Sequence, residues 1–193
     1  SADLYFSGAS AAAVEVAADH ADTYMLWGEP LADFTRHTQQ VRQAARARGR
    51  DPRFSVSFRP IVADTEQQAW ARAHEILERM RENRQRLGLP VSNHAPANAG
   101  SQRLLAAAKR GEVLDERLWM GIAQLTGAQW NSTALVGTPE QVATALGKYY
   151  QQGASAFLLR GFDPLEDTIR YGTGLIPALR EHLSSLTPLA EQH

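Results

Sequence analysis

The sequence predicts an α/β fold built from parallel strand–helix units, and three observations carry that prediction. Short apolar runs recur at about 4–8, 23–27, 54–62 and 155–160. Between them lie longer stretches in which apolar residues return every three or four positions, the period of a helix buried on one face. Turn and capping residues stand at the junctions: Gly8 with Ser10, Gly28 with Pro30, and Thr138 with Pro139. Strands that alternate with helices pair in parallel through right-handed crossovers. The expectation is therefore four parallel strands, adjacent in chain order, with helices on one outer face.

Taken in order, Leu4, Tyr5 and Phe6 form a first strand, Gly8 allows a sharp turn, and Ser10 stands as N-cap before an alanine-rich helix reaching His20. Residues 23–27 form a second strand ending at Trp27. Leu31, Phe34, Val41 and Ala45 set the rhythm of a helix that Gly49 terminates. In 54–62, Phe54, Val56 and Phe58 point one way and Ser55, Ser57 and Arg59 the other. Hydroxyls and a guanidinium are costly on a covered sheet face, so this strand is expected to line a polar site. Asp64 with Gln67 resembles a capping box for an amphipathic helix to about Arg86. Residues 88–132 read as an insertion of loops and helices, the helices at 101–109 and 114–125. Thr133 to Val136 is a short extended piece, and Thr138, Pro139 and Gln141 make a second capping box. After the fourth strand, Asp163 caps a last helix with a kink at Pro177.

Composition limits the function classes. The chain has 193 residues, 44% of them hydrophobic, and a net charge of −1, which allows a sizeable core and gives no bulk field for nucleic acid or an anionic membrane. It has no cysteine, hence no disulfide, thiolate nucleophile or cysteine metal site. The six histidines show no metal-ligand spacing, so no metal is expected, and no nucleophile elbow or P-loop is present. No run approaches the length of a membrane span, and a cytoplasmic location is expected. Arg42, Arg46, Arg48, Arg50 and Arg53 form a basic cluster that reads as a solvated helix end. Asn131-Ser132-Thr133 matches a glycosylation acceptor, with no other sign of secretion.

In parallel βα units the C-terminal ends of the strands share one rim, so Ser7–Ser10, Trp27–Glu29, Arg59 and Arg160–Phe162 should lie near one another. At a helix start such as Ser10, unpaired N–H groups favour an anion, typically phosphate; the same turn also serves as an ordinary strand-to-helix connection. Trp27 reads either as a core aromatic or as a site residue, and Arg59 either as a salt-bridge partner or as an anion clamp.

Four stretches in order carry a resemblance: Leu-Tyr-Phe-Ser-Gly-Ala-Ser at 4–10, Tyr-Met-Leu-Trp-Gly-Glu-Pro at 24–30, Ala-Leu-Val-Gly-Thr-Pro-Glu-Gln-Val-Ala at 134–143 and Phe-Leu-Leu-Arg-Gly-Phe at 157–162. The chain resembles bacterial luciferase-like flavin monooxygenases, most nearly the alkanesulfonate monooxygenase group. The resemblance implies the C-terminal half of a (β/α)8 TIM barrel, its fifth to eighth strands, as a single segment over 1–193 with an extra helical insertion. It implies reduced FMN, supplied by a separate flavin reductase, and oxygenation of a sulfonate or related small molecule. Gly8, Ala9 and Ser10 match the flavin-phosphate loop, and Trp27 matches a tryptophan at the active-site end of its strand. Arg59 and Phe162 fall at substrate-site positions, Arg59 with a catalytic role beside Trp27. The desulfonating members carry arginine and histidine at the positions of Ser57 and Arg59, a further arginine near Thr126, and tyrosine at Phe162. A complementary N-terminal half, or a homo-oligomer, is the implied partner. The alternative is a non-catalytic half-barrel that binds flavin or serves as an assembly module.

Overall fold

The computed structural model describes residues 2–89, 98–129 and 132–186. Its strands are β1 (Tyr5–Ser7), β2 (Thr23–Trp27), β3 (Arg53–Phe58), β4 (Ile61–Val62), β5 (Val113–Leu114), β6 (Leu118–Trp119), β7 (Ala134–Gly137) and β8 (Ala154–Leu159). Its helices are α1 (Ala11–His20), α2 (Leu31–Arg46), α3 (Glu66–Arg86), α4 (Ala99–Ala108), α5 (Gly121–Thr126), α6 (Pro139–Gln151), α7 (Pro164–Arg170) and α8 (Ile176–Ser184).

The main sheet runs β1-β2-β3-β8, parallel throughout, in the expected order. Tyr24 pairs with Phe54, and Trp27 with Ser57, which pairs in turn with Leu158. Because side chains alternate across a strand, this register gives the sheet two unlike faces. Tyr24, Leu26, Phe54, Val56 and Phe58 are buried in one core with Phe34 and Val41 of α2 and Val142, Leu146 and Tyr149 of α6. Tyr149 packs edge-on to both Phe34 and Phe58. The other face carries Met25, Trp27, Ser55, Ser57 and Leu158. There Ser55 and Ser57 are buried while Leu158 is 45% exposed.

A second sheet, β4-β7-β6-β5, pairs β4 with β7 in parallel and joins β7, β6 and β5 as antiparallel neighbours. It alters two expectations. The run 54–62 is not one strand: it breaks at Arg59-Pro60, where proline supplies no N–H. The chain passes from the main sheet to β7 there, with the Arg59 N–H donating to the Thr133 carbonyl at 3.0 Å. The insertion at 88–132 is not wholly helical either. The helix expected over 114–125 is a hairpin, β5–β6, followed by the short α5. Asp115 and Glu116 take positive φ values of 49° and 71°, which end any helix there, and Leu118 and Trp119 are fully buried beside Leu135 and Ala134. Burial of two large side chains on a sheet outweighs a local helical pattern.

Capping follows the sequence closely. Ser10, Thr138 and Asp163 each accept first-turn N–H groups of α1, α6 and α7. The box before α3 is formed by Thr65 and Gln68, one residue later than expected. The last helical stretch runs from α7 into α8 through an irregular turn just before Pro177. A π-turn over Tyr171–Leu175 separates α7 from α8, and Pro177 sits in the first turn of α8, where a missing N–H is tolerated.

Candidate active site at the strand ends

The ends of β1, β2, β3 and β8 form one rim, and the turn after β1 is its most constrained part. Gly8 has φ +154°, and a Cβ there would lie 2.7 Å from the Ala13 side chain, so the chain can turn directly into α1 only with glycine. Ser10 Oγ accepts from the Ala13 N–H at 3.1 Å. The N–H groups of Ala11 and Ala12 have no acceptor within the helix, as at any helix start. The turn residues Gly8, Ala9 and Ser10 help to line a cavity of about 560 Å³ together with Trp27 and Glu29.

Beneath this turn lies a buried polar pair. The Tyr24 hydroxyl donates to the Gly8 carbonyl oxygen and lies 3.0 Å from His37 Nε2. A tyrosine hydroxyl has one proton, so His37 must donate from Nε2, which fixes its neutral tautomer with Nδ1 bare. That Nδ1 is buried without a hydrogen-bond partner. Burial first, then the Arg103 charge, pulls the His37 pKa below its usual value. Burial pushes the Tyr24 hydroxyl up to about 12. Both therefore stay neutral near pH 7.

The loop after β2 is held from several sides. Glu29, 5% exposed, accepts from Arg103 of α4 through both oxygens, one bond measuring 2.7 Å. Its backbone carbonyl accepts from the Tyr149 hydroxyl at 2.6 Å. Asp115 of the β5–β6 turn accepts the Leu31 N–H at 2.6 Å, capping α2 from outside, since Pro30 offers no side-chain cap. A Cβ on Gly100 would sit 3.2 Å from the Trp27 indole, so the start of α4 lies flat against that ring.

Arg59 and Phe162 come together, but on each other. Arg59 Nη2 donates to the Gly161 carbonyl at 2.7 Å, and its guanidinium lies 3.9 Å from the centre of the Phe162 ring. Burial, and then the Arg160 charge, lower the Arg59 pKa. Asp167 fixes the same turn. Its Oδ2 accepts the Phe162 and Asp163 N–H groups at 2.7 and 2.8 Å, and its Oδ1 accepts Arg72 at 2.7 Å. Arg160 instead joins Ser7, Trp27, Ser55, Ser57 and Leu158 around a second hollow of about 190 Å³. Thr126 is buried and donates to the Ile122 carbonyl at 2.8 Å.

The structure thus brings Gly8, Ala9, Ser10 and Trp27 to one cavity, whereas Arg59 and Phe162 pack on each other and line neither that cavity nor the second hollow. Sequence reasoning missed Tyr24, His37 and Arg103. For His37 a signal existed: it lies at helical spacing between Phe34 and Val41 on the buried stripe of α2, where a histidine needs a partner. Asn131, and residues 90–97 of the loop expected at 88–100, lie outside the described residues.

Known proteins share this fold. A riboflavin lyase solved with modified FMN and riboflavin superposes with a TM-score of 0.68 at 21% identity, over 96% of this chain and 44% of its own. A long-chain alkane monooxygenase gives 0.63 at 19%, over 92% and 40%. An F420-dependent secondary alcohol dehydrogenase, in complex with an F420-acetone adduct, gives 0.55 at 15%, over 93% and 49%. The chain spans less than half the length of each of these structures. At such identities the likeness shows the fold, and three reaction types on one fold leave the chemistry to the site. The family described as luciferase-like monooxygenase matches residues 2–156. This chain belongs to the luciferase-like monooxygenase family.

Proposed function

We propose that this chain is the C-terminal half of an FMN-dependent monooxygenase of the alkanesulfonate type, acting in the cytoplasm on a sulfonate or related small organic substrate. A separate reductase supplies the reduced flavin. One observation carries the reading: the turn Gly8–Ser10 that leads into α1, with Gly8 held by Tyr24, lines a cavity walled by Trp27. The fit to a flavin phosphate is physical. Gly8, Ala9 and Ser10 present no bulky side chain, the helix dipole favours an anion, and the N–H groups of Ala11 and Ala12 need acceptors.

Bound there, reduced FMN supplies the electrons for oxygen activation. The protein's part is to hold and shield it. Gly8–Ser10 anchor the phosphate, the Trp27 indole offers an aromatic wall, and the neutral Tyr24–His37 pair keeps the loop in register without adding charge. Arg59 and Phe162 hold the turn after β8. A complementary N-terminal half closes the site. That is supported by the unpaired edges of β1 and β8 and by the exposure of Leu4 (57%), Tyr5 (58%) and Leu158 (45%), surface that a partner strand or chain would cover.

The test is Ala9→Glu in the chain combined with its N-terminal half. A carboxylate within a few Å of the phosphate costs on the order of a few kcal/mol, about a hundredfold in FMN affinity. Riboflavin binding and folding should be little changed, since Ala9 precedes the Ser10 N-cap and lies outside the hydrogen-bonded helix. An FMN dissociation constant equal to wild type would show that the turn is only structural, and would favour the non-catalytic half-barrel.

A further inference from the structure

The end of β8 carries a cation, Arg160, for which no ion pair is found among the described residues. Arg59 is committed to a carbonyl and a ring, Arg72 to Glu166 and Asp167, Arg103 to Glu29, and Arg117 to Glu66. Among the described residues no carboxylate pairs with the Arg160 guanidinium. The nearby carboxylate, Asp167, is already used by two N–H groups and Arg72. Arg160 follows Leu158 by two residues, so its side chain leaves the sheet on the same face. It heads the 190 Å³ hollow with three serine hydroxyls, Ser7, Ser55 and Ser57, against the apolar walls of Trp27 and Leu158.

Each part of that hollow suits one kind of ligand. A guanidinium presents paired N–H donors that match the oxygens of a sulfonate or carboxylate. The Ser7 and Ser55 hydroxyls can rotate to donate to the remaining oxygens, while Ser57 Oγ donates to the Leu26 carbonyl at 3.4 Å. The aromatic and aliphatic walls match a short hydrocarbon body. Arg59, which the sequence left open as a salt-bridge partner or an anion clamp, is held instead by the Gly161 carbonyl and the Phe162 ring. The hollow shares Ser7, Met25, Leu26 and Trp27 with the larger cavity at α1, so a ligand in one borders a ligand in the other.

We propose that this hollow takes the oxyanion head of a small organic anion, a sulfonate in the first instance, and that Arg160 determines the preference for a charged substrate. The proposal rests on the flavin-enzyme reading only in calling that anion the substrate. The experiment titrates 1-butanesulfonate and the uncharged 1-butanesulfonamide into the chain combined with its N-terminal half, as wild type, Arg160→Gln and Arg160→Lys, with FMN and riboflavin as parallel arms. Wild type should bind the sulfonate about tenfold or more tightly than the amide, and the preference should shrink with added salt. Arg160→Gln should abolish it, Arg160→Lys should keep part of it, and neither should move FMN affinity or the melting temperature, the side chain being exposed.

Three results would overturn the assignment. One is a wild type without the preference. Another is an Arg160→Gln variant that retains it. The third is an Arg160→Gln variant that loses FMN but not riboflavin, which would give the guanidinium to the cofactor phosphate. A wild type that prefers the sulfonate yet binds no FMN would instead sink the flavin reading and leave the anion subsite standing.

Discussion

Tyr24→Phe removes one oxygen and tests the support of the phosphate turn. The hydroxyl donates to the Gly8 carbonyl and accepts from His37 Nε2, so its loss strands a partner on each side. The Gly8 carbonyl lines the cavity and can take a water. His37 is 2% exposed, and its Nε2–H is left without a protein acceptor beside an already bare Nδ1. Stranding one buried donor costs about 1–3 kcal/mol. In a chain of this size each kcal/mol lowers the melting temperature by about 2–4 °C, so a 2 kcal/mol loss predicts a fall of about 4–8 °C, with weaker FMN binding as the turn loosens. Adding His37→Leu to Tyr24→Phe removes the stranded donor and should recover part of the loss, which a double-mutant cycle by thermal melts reads as a coupling of about 1 kcal/mol or more. A Tyr24→Phe protein within about 0.5 kcal/mol of wild type, or a strictly additive double mutant, would refute the pairing.

Two further outcomes follow from the charged and titrating groups. His37 has a folded-state pKa below its unfolded value, so the unfolded chain takes up a proton that the native state refuses. Stability is full above about pH 6.5 and falls as the pH drops from there toward the lowered folded value, by at most about 1.4 kcal/mol per pH unit. His37→Gln should flatten that part of a melting profile between pH 7 and 5.5, and an unchanged profile would mean that His37 is solvated. Arg103→Ala leaves the nearly buried Glu29 carboxylate unpaired. Because Arg103 is about a third exposed, the loss should be about 2–3 kcal/mol, below that of a fully buried pair. Glu29→Gln in the same background should restore part of it in urea denaturation, and no restoration would show that the pair acts through packing alone.

Most of the main sheet was legible because its signals are local. Alternation in Phe54–Phe58, the Ser10 and Thr138 caps and the turn at Gly8 each depend on a few neighbouring residues. The insertion was not. Its hairpin exists because Leu118 and Trp119 find β7 in space, and a helical spacing of apolar residues cannot announce a partner strand that follows later in the chain. The site divided in the same way. Gly8–Ser10 and Trp27 declare themselves through backbone geometry and position at strand ends. Tyr24, Glu29, His37 and Arg103 are joined only by folding, Glu29 and Arg103 being 74 positions apart. Arg59 shows the limit from the other side: alternation put it on the polar face, but the break at Pro60 turned its guanidinium onto Gly161.

The pairing of β3 with β8 bears on how the chain folds. Ser155 Oγ donates to the carbonyl of Phe54, 101 residues away in sequence, whereas β1, β2 and β3 meet through single crossover helices. Loop-closure entropy grows slowly with length, about 0.6 kcal/mol for each doubling, so the detour through α3, the insertion and α6 costs the native state little. Its effect on rate is larger, because that entropy is lost before the distant contacts form. The first three strands with α1 and α2 should assemble early, and β8 should join only once β7 and α6 have shortened the gap. Pulsed hydrogen exchange should then find the amides of β2 protected before those of β8. The buried row from Tyr24 to Phe54 is then the surface on which the rest of the chain assembles, and the strand that delivers Arg160 arrives last.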